Sequence, residues 1–475
     1  MLTIEARGPR LCDGVSRREM LRVGGLSALG LSLSQMLAGT AAARDARATA
    51  AAQAPIAAGQ GRAKSCIVLF LMGGPPQHST WDPKPEAAAE VRGEFGPIAT
   101  NVPGTQFCEL MPMLARQADK LAVLRAVSTG DNAHSSSGYY MLTGRPHQPM
   151  NRENANPGAP NDWPNLGGVV QQLSPSGGDL PTAVRLPKHI FNTDGSVWAG
   201  QDAGFLGRNA DPWMLRCEPA SPDYHIPEFK LPVELSADRF AHRFSLLGQM
   251  NRHLDSANRG GVIEHYDGLT RQAFDLLSSG PSRRAFDLAA ETDATRDRYG
   301  RTQFGQSTLL ARRLVEAGVR LVQVNWFRGP EEPNDAPCWD SHSKEADRLK
   351  NVLMPPMDQA FSALLEDLAA RGLLDETLVL FATEFGRTPG SQGSDGRDHH
   401  IFGFSVWMAG GGLKRGVVHG ATDEIGFHAV EDRHYVTDIH ATILRQLGLD
   451  SRQLEIPGRK RLDIDHGSAI EEIIA

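Results

Sequence analysis

The sequence has little cysteine, no excess of positive charge and no long hydrophobic run. Only five cysteines occur in 475 residues, which is too few for a fold built on disulfides. The formal net charge is −7, so there is no basic field to attract nucleic acid. Hydrophobic residues still make up 40% of the chain, which excludes a disordered or fibrous protein. We therefore expect a globular protein with a sizeable core and no nucleic-acid partner.

The N-terminal segment has the pattern of an export signal. Arg17 and Arg18 precede a short, weakly apolar stretch over residues 23–37, and three alanines follow at 41–43. This order is typical of a secretory signal, and the paired arginines indicate the twin-arginine export machinery as a partner. A membrane anchor or a basic amphipathic helix is the alternative. We predict a signal peptide over 1–43, a flexible linker over 44–64 and a periplasmic or secreted protein with no stable membrane span after processing.

The remaining chain alternates short apolar runs with helical patterns that end at glycine. Strands are predicted at 65–72, 121–127, 319–326, 377–383 and 404–409. This alternation indicates an α/β fold with a mainly parallel sheet and helices on both faces. We predict a single domain over 65–475, with insertions around 145–300 that are loop-rich at first and then helical.

Candidate functional residues cluster where the predicted strands end. Ligands of open α/β sheets bind beyond the carboxyl ends of the strands. Four segments there carry chemically useful side chains: His78 and Asp82; His134 and Ser135; Asp340 and His342; and Glu384 and Arg387, which continue to Asp398 and His399.

The carboxylates and imidazoles in these segments form the donor mixture of a metal site. Zinc, manganese or a similar divalent ion suits ligands of this kind. The candidate ligands are Asp340, His342, Glu384, Asp398 and His399. Each acid–histidine pair by itself is also typical of a solvated loop pair, so the hypothesis depends on their convergence.

Other residues are candidates for contacts with an anionic substrate. His134 and Ser135 open a predicted helix, where free backbone N–H groups favour an anion, although serine is also an ordinary helix cap. Arg387 and Arg145 could hold an oxyanion, although surface arginines are common. His78 is the remaining candidate for substrate binding.

These segments, in this order, resemble the alkaline phosphatase/sulfatase superfamily, and more closely the DUF1501 family of sulfatase-like exported proteins. The stretch His134–Arg145 is similar to the sulfatase signature, and Asp438–Gly448 is similar to a late sulfatase helix. The DUF1501 motifs present here are Gly73–Pro75, Trp339–His342, Glu384–Pro389 and Gly396–His399. The resemblance implies an alkaline phosphatase/sulfatase-like fold over roughly 65–465.

The resemblance also implies one metal site and an altered second one. Asp340, His342 and His399 match the ligands of the first site. Gly73 stands where the family has an aspartate, and Phe385 replaces a ligand beside Glu384. His134 stands at the position of the nucleophile, unless Ser135 has taken that role or His134 is itself a metal ligand. We expect one divalent ion, with zinc, manganese and calcium left open.

Two functions follow from the resemblance. The first is an exported, metal-dependent hydrolase of sulfate or phosphate esters, acting on a small molecule or a polysaccharide, with His134, Ser135 and Arg387 in catalytic roles. The alternative is a catalytically degenerate protein that binds a glycan or a cell-envelope partner. Three tryptophans in the loop-rich region could stack on sugar rings: Trp163, Trp198 and Trp213.

Overall fold

The structure, a computed structural model, describes most of the chain beyond residue 60. The described ranges are 61–174, 180–226, 238–240, 242–243, 245–246, 280–327, 338–393, 395–454 and 467–475. The predicted signal peptide, nearly all of the predicted linker and much of the helical insertion lie outside these ranges. The predicted domain limits therefore stay a prediction. No helix in the described ranges is long and apolar enough to cross a membrane.

Fifteen strands occur in the described residues. In chain order they are β1 Ser65–Leu71, β2 Pro97–Ala99, β3 Gln106–Cys108, β4 Leu121–Ser128, β5 Ala183–Leu186, β6 Trp213–Met214, β7 Leu321–Trp326, β8 Thr377–Ala382, β9 Gly386–Arg387, β10 His399–His400, β11 Phe404–Gly410, β12 Val417–His419, β13 Ala421–Thr422, β14 Ala429–Glu431 and β15 His434–Tyr435.

The α-helices of the described residues lie mainly between the long strands. They are α1 Ala89–Arg92, α2 Pro112–Ala115, α3 His134–Thr143, α4 Leu166–Leu173, α5 Gly280–Ala285, α6 Asp293–Tyr299, α7 Gln303–Glu316, α8 Glu345–Arg348, α9 Met354–Ala370 and α10 Val436–Gln446. A π-helical turn at Leu349–Leu353 joins α8 to α9.

Nine strands form one sheet in the order β12-β4-β11-β8-β1-β7-β5-β6, with β15 also pairing with β4. Every pairing in this sheet is parallel except the two made by β11, which runs antiparallel to both β4 and β8. All seven residues of β1 are buried, and so are all six of β8. Because neighbouring side chains of a strand point to opposite faces, both faces of the central strands are covered.

The predicted fold class, a mainly parallel sheet with helices, is confirmed. All five strands expected from apolar runs are present, within one or two residues of their predicted limits. The loop-rich region contributes more than an insertion, because β5 and β6 extend the sheet beyond β7. These strands have only four and two residues, too few for a clear apolar pattern among the surrounding prolines and glycines.

The sheet brings distant parts of the chain to one edge. The parallel strands β1, β4, β7 and β8 all end there, and the segments that follow them carry Gly73, His134, Asp340 and Glu384. The antiparallel strand β11 begins at this edge, so His399, five residues before it, arrives at the same place. No disulfide joins the cysteines of the described residues, which are Cys66, Cys108, Cys217 and Cys338.

Candidate metal centre

Four side chains converge at this edge of the sheet: His134, Asp340, His342 and His399. Each offers one ligand atom, and these atoms all lie within 4.8 Å of one another. His134 is the first residue of α3, and His399 lies on the two-residue strand β10, which pairs with β9. The predicted ligands Asp340, His342 and His399 are therefore together, and His134 joins them.

The carboxylate of Asp340 lies at the middle of the group. Its Oδ1 atom is 2.9 Å from Nε2 of His342, 3.1 Å from Nε2 of His134 and 3.5 Å from Nε2 of His399. Burial alone would raise the pKa of Asp340, but the charges of His134 and Arg387 hold it well below its usual range. Asp340 is therefore ionised and presents an anionic oxygen to the three imidazoles.

Each of the three histidines has an oxygen atom beside its outward ring nitrogen. Nδ1 of His134 lies 2.6 Å from Oε1 of Glu384, and Nδ1 of His399 lies 2.6 Å from the carbonyl oxygen of Asn132. Nδ1 of His342 lies 2.5 Å from Oε1 of Gln392. These acceptors favour the tautomer with a proton on Nδ1, which leaves the Nε2 lone pairs facing inward.

The inward arrangement fits a bound cation. The Nε2 atoms of His342 and His399 are 2.9 Å apart. If both Nδ1 atoms carry the proton, the two Nε2 lone pairs point at each other and repel, so a proton or a metal ion must lie between them. The Nε2 atom of His134 is buried and makes no well-directed hydrogen bond. The cluster therefore could hold a metal ion, with three imidazole nitrogens and one carboxylate oxygen as donors.

Glu384 orients a ligand and is not itself among the four converging groups. Its side chain is fully buried, and Oε1 accepts hydrogen bonds from His134 and from the backbone N–H of Gly73, the latter at 2.7 Å. A carboxylate behind a ligating histidine fixes the ring and increases its basicity. The sequence placed Glu384 at the site but did not distinguish this outer position from direct ligation.

Gly73 explains why the first strand carries no acidic side chain here. Its φ of +116° is unfavourable for other residues, and a Cβ atom would lie 2.3 Å from the backbone nitrogen of Asp340. The backbone of the turn after β1 therefore packs directly against the segment that carries Asp340. No side chain, acidic or otherwise, fits between them.

Arg387 holds Asp340 in place. Its guanidinium is fully buried and donates to Asp340 Oδ1 at 2.6 Å, to the carbonyl of Gly74 at 3.2 Å and to that of Arg397 at 3.0 Å. It also donates to the carbonyl oxygen of Gly73. We predicted that Arg387 contacts a substrate oxyanion, but in this structure its donors are committed to the protein.

Ser135 does not face the same way as its neighbour His134. Its hydroxyl donates to Oδ1 of Asn192 at 2.6 Å and lies 3.5 Å from a carboxylate oxygen of Glu153. Successive residues of a helix are turned by about 100° from each other, which separates the two side chains. The nucleophilic role predicted for Ser135 stays a prediction.

Three further predicted residues lie away from the four ligands. Asp398 is 57% exposed, and its carboxylate comes no closer than 4.0 Å to Nδ1 of His342. Arg145 follows the far end of α3, whose ten residues span about 15 Å, and its guanidinium lies over the ring of Trp163. His78 is 2% exposed, so its ring is closed to a substrate in this conformation.

Phe385 forms one wall of the centre. In the sequence, this residue is notable only because it replaces a metal ligand of related proteins. The ring of Phe385 stacks on His399 at 4.5 Å between centroids and lies 4.9 Å from His134. The centre is more exposed at His342, whose side chain is 29% exposed, than at His134, whose side chain is only 7% exposed. Solvent therefore reaches the centre from the side of His342.

Comparison with known proteins places the chain in one family and beside several solved structures. A family model described as "Protein of unknown function (DUF1501)" matches residues 63–474. No curated protein gives a significant sequence match.

Three solved structures illustrate the likeness. A sulfatase from a Pseudoalteromonas species is 14% identical, with 86% of this chain and 74% of that one covered and a TM-score of 0.39. A phosphonate monoester hydrolase from Silicibacter pomeroyi is 13% identical, with 85% and 77% covered and a TM-score of 0.36. A lipoteichoic acid synthase from Listeria monocytogenes is 9% identical, with 86% and 75% covered and a TM-score of 0.34.

Replacing the outer carboxylate should weaken metal binding without removing a ligand. In Glu384→Gln, an amide oxygen can still accept from His134 and Gly73, but the negative charge is lost. We expect zinc affinity to fall about 10- to 100-fold, measured by competition with a chromophoric chelator. The control is Glu366→Gln, which changes a carboxylate bound to Gln117. Equal affinities for the two variants would contradict the orienting role of Glu384.

Metal binding should strengthen as the pH rises. Burial lowers the pKa of His134, but the charge and close approach of Asp340 and the hydrogen bond to Glu384 outweigh this and raise it to about 9. Below that pH one proton must leave His134 for each ion bound, so we expect the apparent Kd to fall about tenfold per pH unit between 7 and 8.5. The same titration on His134→Gln should give a flatter slope. A wild-type Kd that does not change over this range would contradict the competition between a proton and the metal ion for His134.

Proposed function

We propose that the chain, which belongs to the DUF1501 family, is an exported hydrolase that uses one divalent metal ion to cleave sulfate or phosphate esters. The observation that carries the proposal is the centre itself, in which three imidazoles and one carboxylate converge and one side is open to solvent. Four protein ligands alone are typical of a structural zinc ion, so hydrolysis requires a further coordination position that is open to water or substrate. The export signal is inferred from the sequence of residues 1–43 alone.

The donor set favours zinc or manganese over calcium. Calcium takes six to eight oxygen ligands, whereas this centre offers three ring nitrogens and a single carboxylate. Imidazole-rich sites suit zinc and other transition metals. When bound, such an ion supplies Lewis-acid polarisation of a substrate oxygen and increases the acidity of a coordinated water.

The protein's own residues divide the remaining tasks. Asp340, held by Arg387, and the three histidines fix the position of the ion, while Glu384 orients His134. Phe385 excludes water from the closed side.

Water is the nucleophile that this arrangement favours. The hydroxyl of Ser135 donates to Asn192, and that of Ser137 donates to the carbonyl oxygen of Glu384 at 2.8 Å. His134, at the helix start, is one of the four converging ligands. The proposal therefore has no covalent intermediate on serine.

Hydrolysis of a panel of aryl sulfates and phosphates tests the proposal. We expect turnover by the zinc- or manganese-loaded protein, loss of at least about 100-fold in His399→Ala, and retention within about threefold in Ser135→Ala. Rates are compared at equal protein concentration with metal content measured for each variant. Turnover that survives in His399→Ala would contradict the proposed site. Turnover lost in a metal-loaded Ser135→Ala would contradict water as the nucleophile.

A second candidate function is the binding of an anionic carbohydrate, and a cavity beside β5 and β6 favours it. The cavity has a volume of about 750 Å³, and Arg185, His189 and Trp213 line it. Arg185 is 3% exposed, and its Nε and Nη1 atoms have no hydrogen-bond partner. Burial lowers the pKa of Arg185 to about 10, only partly offset by two aspartates that also line the cavity.

The cavity has the chemistry to bind a sulfate or carboxylate group on a sugar. A buried guanidinium with unused donors is costly unless an anion binds it, and bidentate binding of such groups suits arginine. Trp213 adds a half-buried ring on which a sugar could stack. Trp198 is buried, and Trp163 is covered by Arg145, so neither matches the stacking role considered from the sequence.

Replacement of Arg185 tests the second candidate. Arg185→Gln keeps a polar side chain but removes the charge. We therefore expect this variant to elute from a column of sulfated polysaccharide at a lower salt concentration than the wild type. Arg301→Gln, which changes an arginine paired with Asp293 and Asp297, serves as the control of equal charge. Identical elution of the two variants would exclude Arg185 as a binding residue.

A further inference from the structure

A second cluster of metal-binding side chains lies at the edge of the main sheet. It consists of His419 at the end of β12, His434 at the start of β15, and Glu472 in a 3₁₀ turn over Glu471–Ile473. One ligand atom from each lies within 4.8 Å of the other two. None of these residues takes part in the centre at Asp340.

The three residues come from separate segments, and the two histidines lie on strands that pair with β4. Both β12 and β15 pair with β4 in parallel, with His419 opposite Leu124 and His434 opposite Val127. The C-terminal turn docks nearby, where the backbone N–H of Lys414 donates to the carbonyl of Ile473 at 2.8 Å. The N–H of Ala475 donates to the carbonyl of Gly412 at 3.1 Å.

The two histidines repeat the arrangement of the first centre. Their Nε2 atoms are 2.9 Å apart. On the outward side, Nδ1 of His434 lies 3.5 Å from a carboxylate oxygen of Asp438, and Nδ1 of His419 lies 4.0 Å from one of Asp432. These carboxylates add negative charge beside a pair of rings whose Nε2 atoms lie close enough together to share a cation.

Both rings are largely shielded, with side chains only 12% and 18% exposed, whereas Glu472 lies at the surface. A single shared proton would satisfy the two histidines but would not need the carboxylate of Glu472. Two cations at this turn contact other groups: Lys414 donates to the carbonyl of Glu472, and Arg445 pairs with the carboxylate of Glu471. The third ligand therefore favours a metal ion over a proton.

We propose that His419, His434 and Glu472 form a second metal site, which binds a first-row divalent ion such as zinc and fastens the C-terminal segment 467–475 to the sheet edge. Two imidazole nitrogens and a carboxylate oxygen are common zinc ligands, and a water molecule would complete the tetrahedron. The site does not depend on the proposed hydrolase activity.

Zinc stoichiometry of the full chain tests the site. The protein is stripped with a chelator, titrated with zinc against a chromophoric competitor, and passed through gel filtration before metal analysis. We expect two equivalents in the wild type, one in His399→Ala, one in His434→Ala and none in the double variant. If His434→Ala still bound two equivalents of zinc, the second site would be wrong. It would also be wrong if the wild type bound only one equivalent and His399→Ala bound none.

Two further variants distinguish the loss of a ligand from misfolding of the protein. His434→Gln keeps a polar side chain of similar size, and Glu472→Gln changes only the exposed ligand. Both should match the metal-free wild type in thermal unfolding, lower the affinity of the second equivalent by at least about tenfold and leave the first unchanged. An unchanged second equivalent in both variants would contradict the assignment of the ligands.

Hydrogen exchange tests the fastening role separately. In His399→Ala, which retains only the second site, zinc should slow exchange of the Ile473 amide and its neighbours at least about tenfold. In His434→Ala it should leave their exchange unchanged. Exchange that is insensitive to zinc in His399→Ala would overturn the fastening role.

Discussion

The buried carboxylate of Asp340 is the charge on which the rest of the centre depends. One of its oxygen atoms faces three imidazoles and also accepts a hydrogen bond from Arg387. Arg387 in turn binds carbonyl groups after β1 and before β10, which ties these loops to the same point. Without this carboxylate, the buried guanidinium of Arg387 would lose the anion that it contacts, and an uncompensated buried charge is strongly unfavourable.

The topology of the sheet supplies this arrangement. Parallel strands deliver Gly73, His134 and Glu384 to one edge, and the reversed strand β11 delivers His399 from the other chain direction. The close approach of Gly73 to Asp340 leaves no room for an acidic side chain at the end of the first strand. The centre therefore has ligands for one ion, at Asp340, and the charged groups around it are Arg387 and Glu384.

The sequence predicted the long buried strands, because continuous apolar runs bounded by glycine are distinctive. It also identified Asp340, His342 and His399 as candidate ligands, through motifs at strand ends. It could not separate ligands from their supports: Glu384 and Asp398 have the same chemistry as Asp340, and only packing places them outside. Asn132 contributes a backbone carbonyl and Gln392 a loop amide, neither of which carries a signal in the sequence.

The most direct test of this account is a crystal structure of the zinc-loaded full chain with anomalous diffraction recorded at the zinc edge. We expect an anomalous peak about 2.0–2.2 Å from the Nε2 atoms of His134, His342 and His399 and from a carboxylate oxygen of Asp340. Glu384 should remain bound to Nδ1 of His134, outside the coordination sphere. An absence of any peak among these four residues, or an ion held by Glu384 in place of His134, would contradict the account.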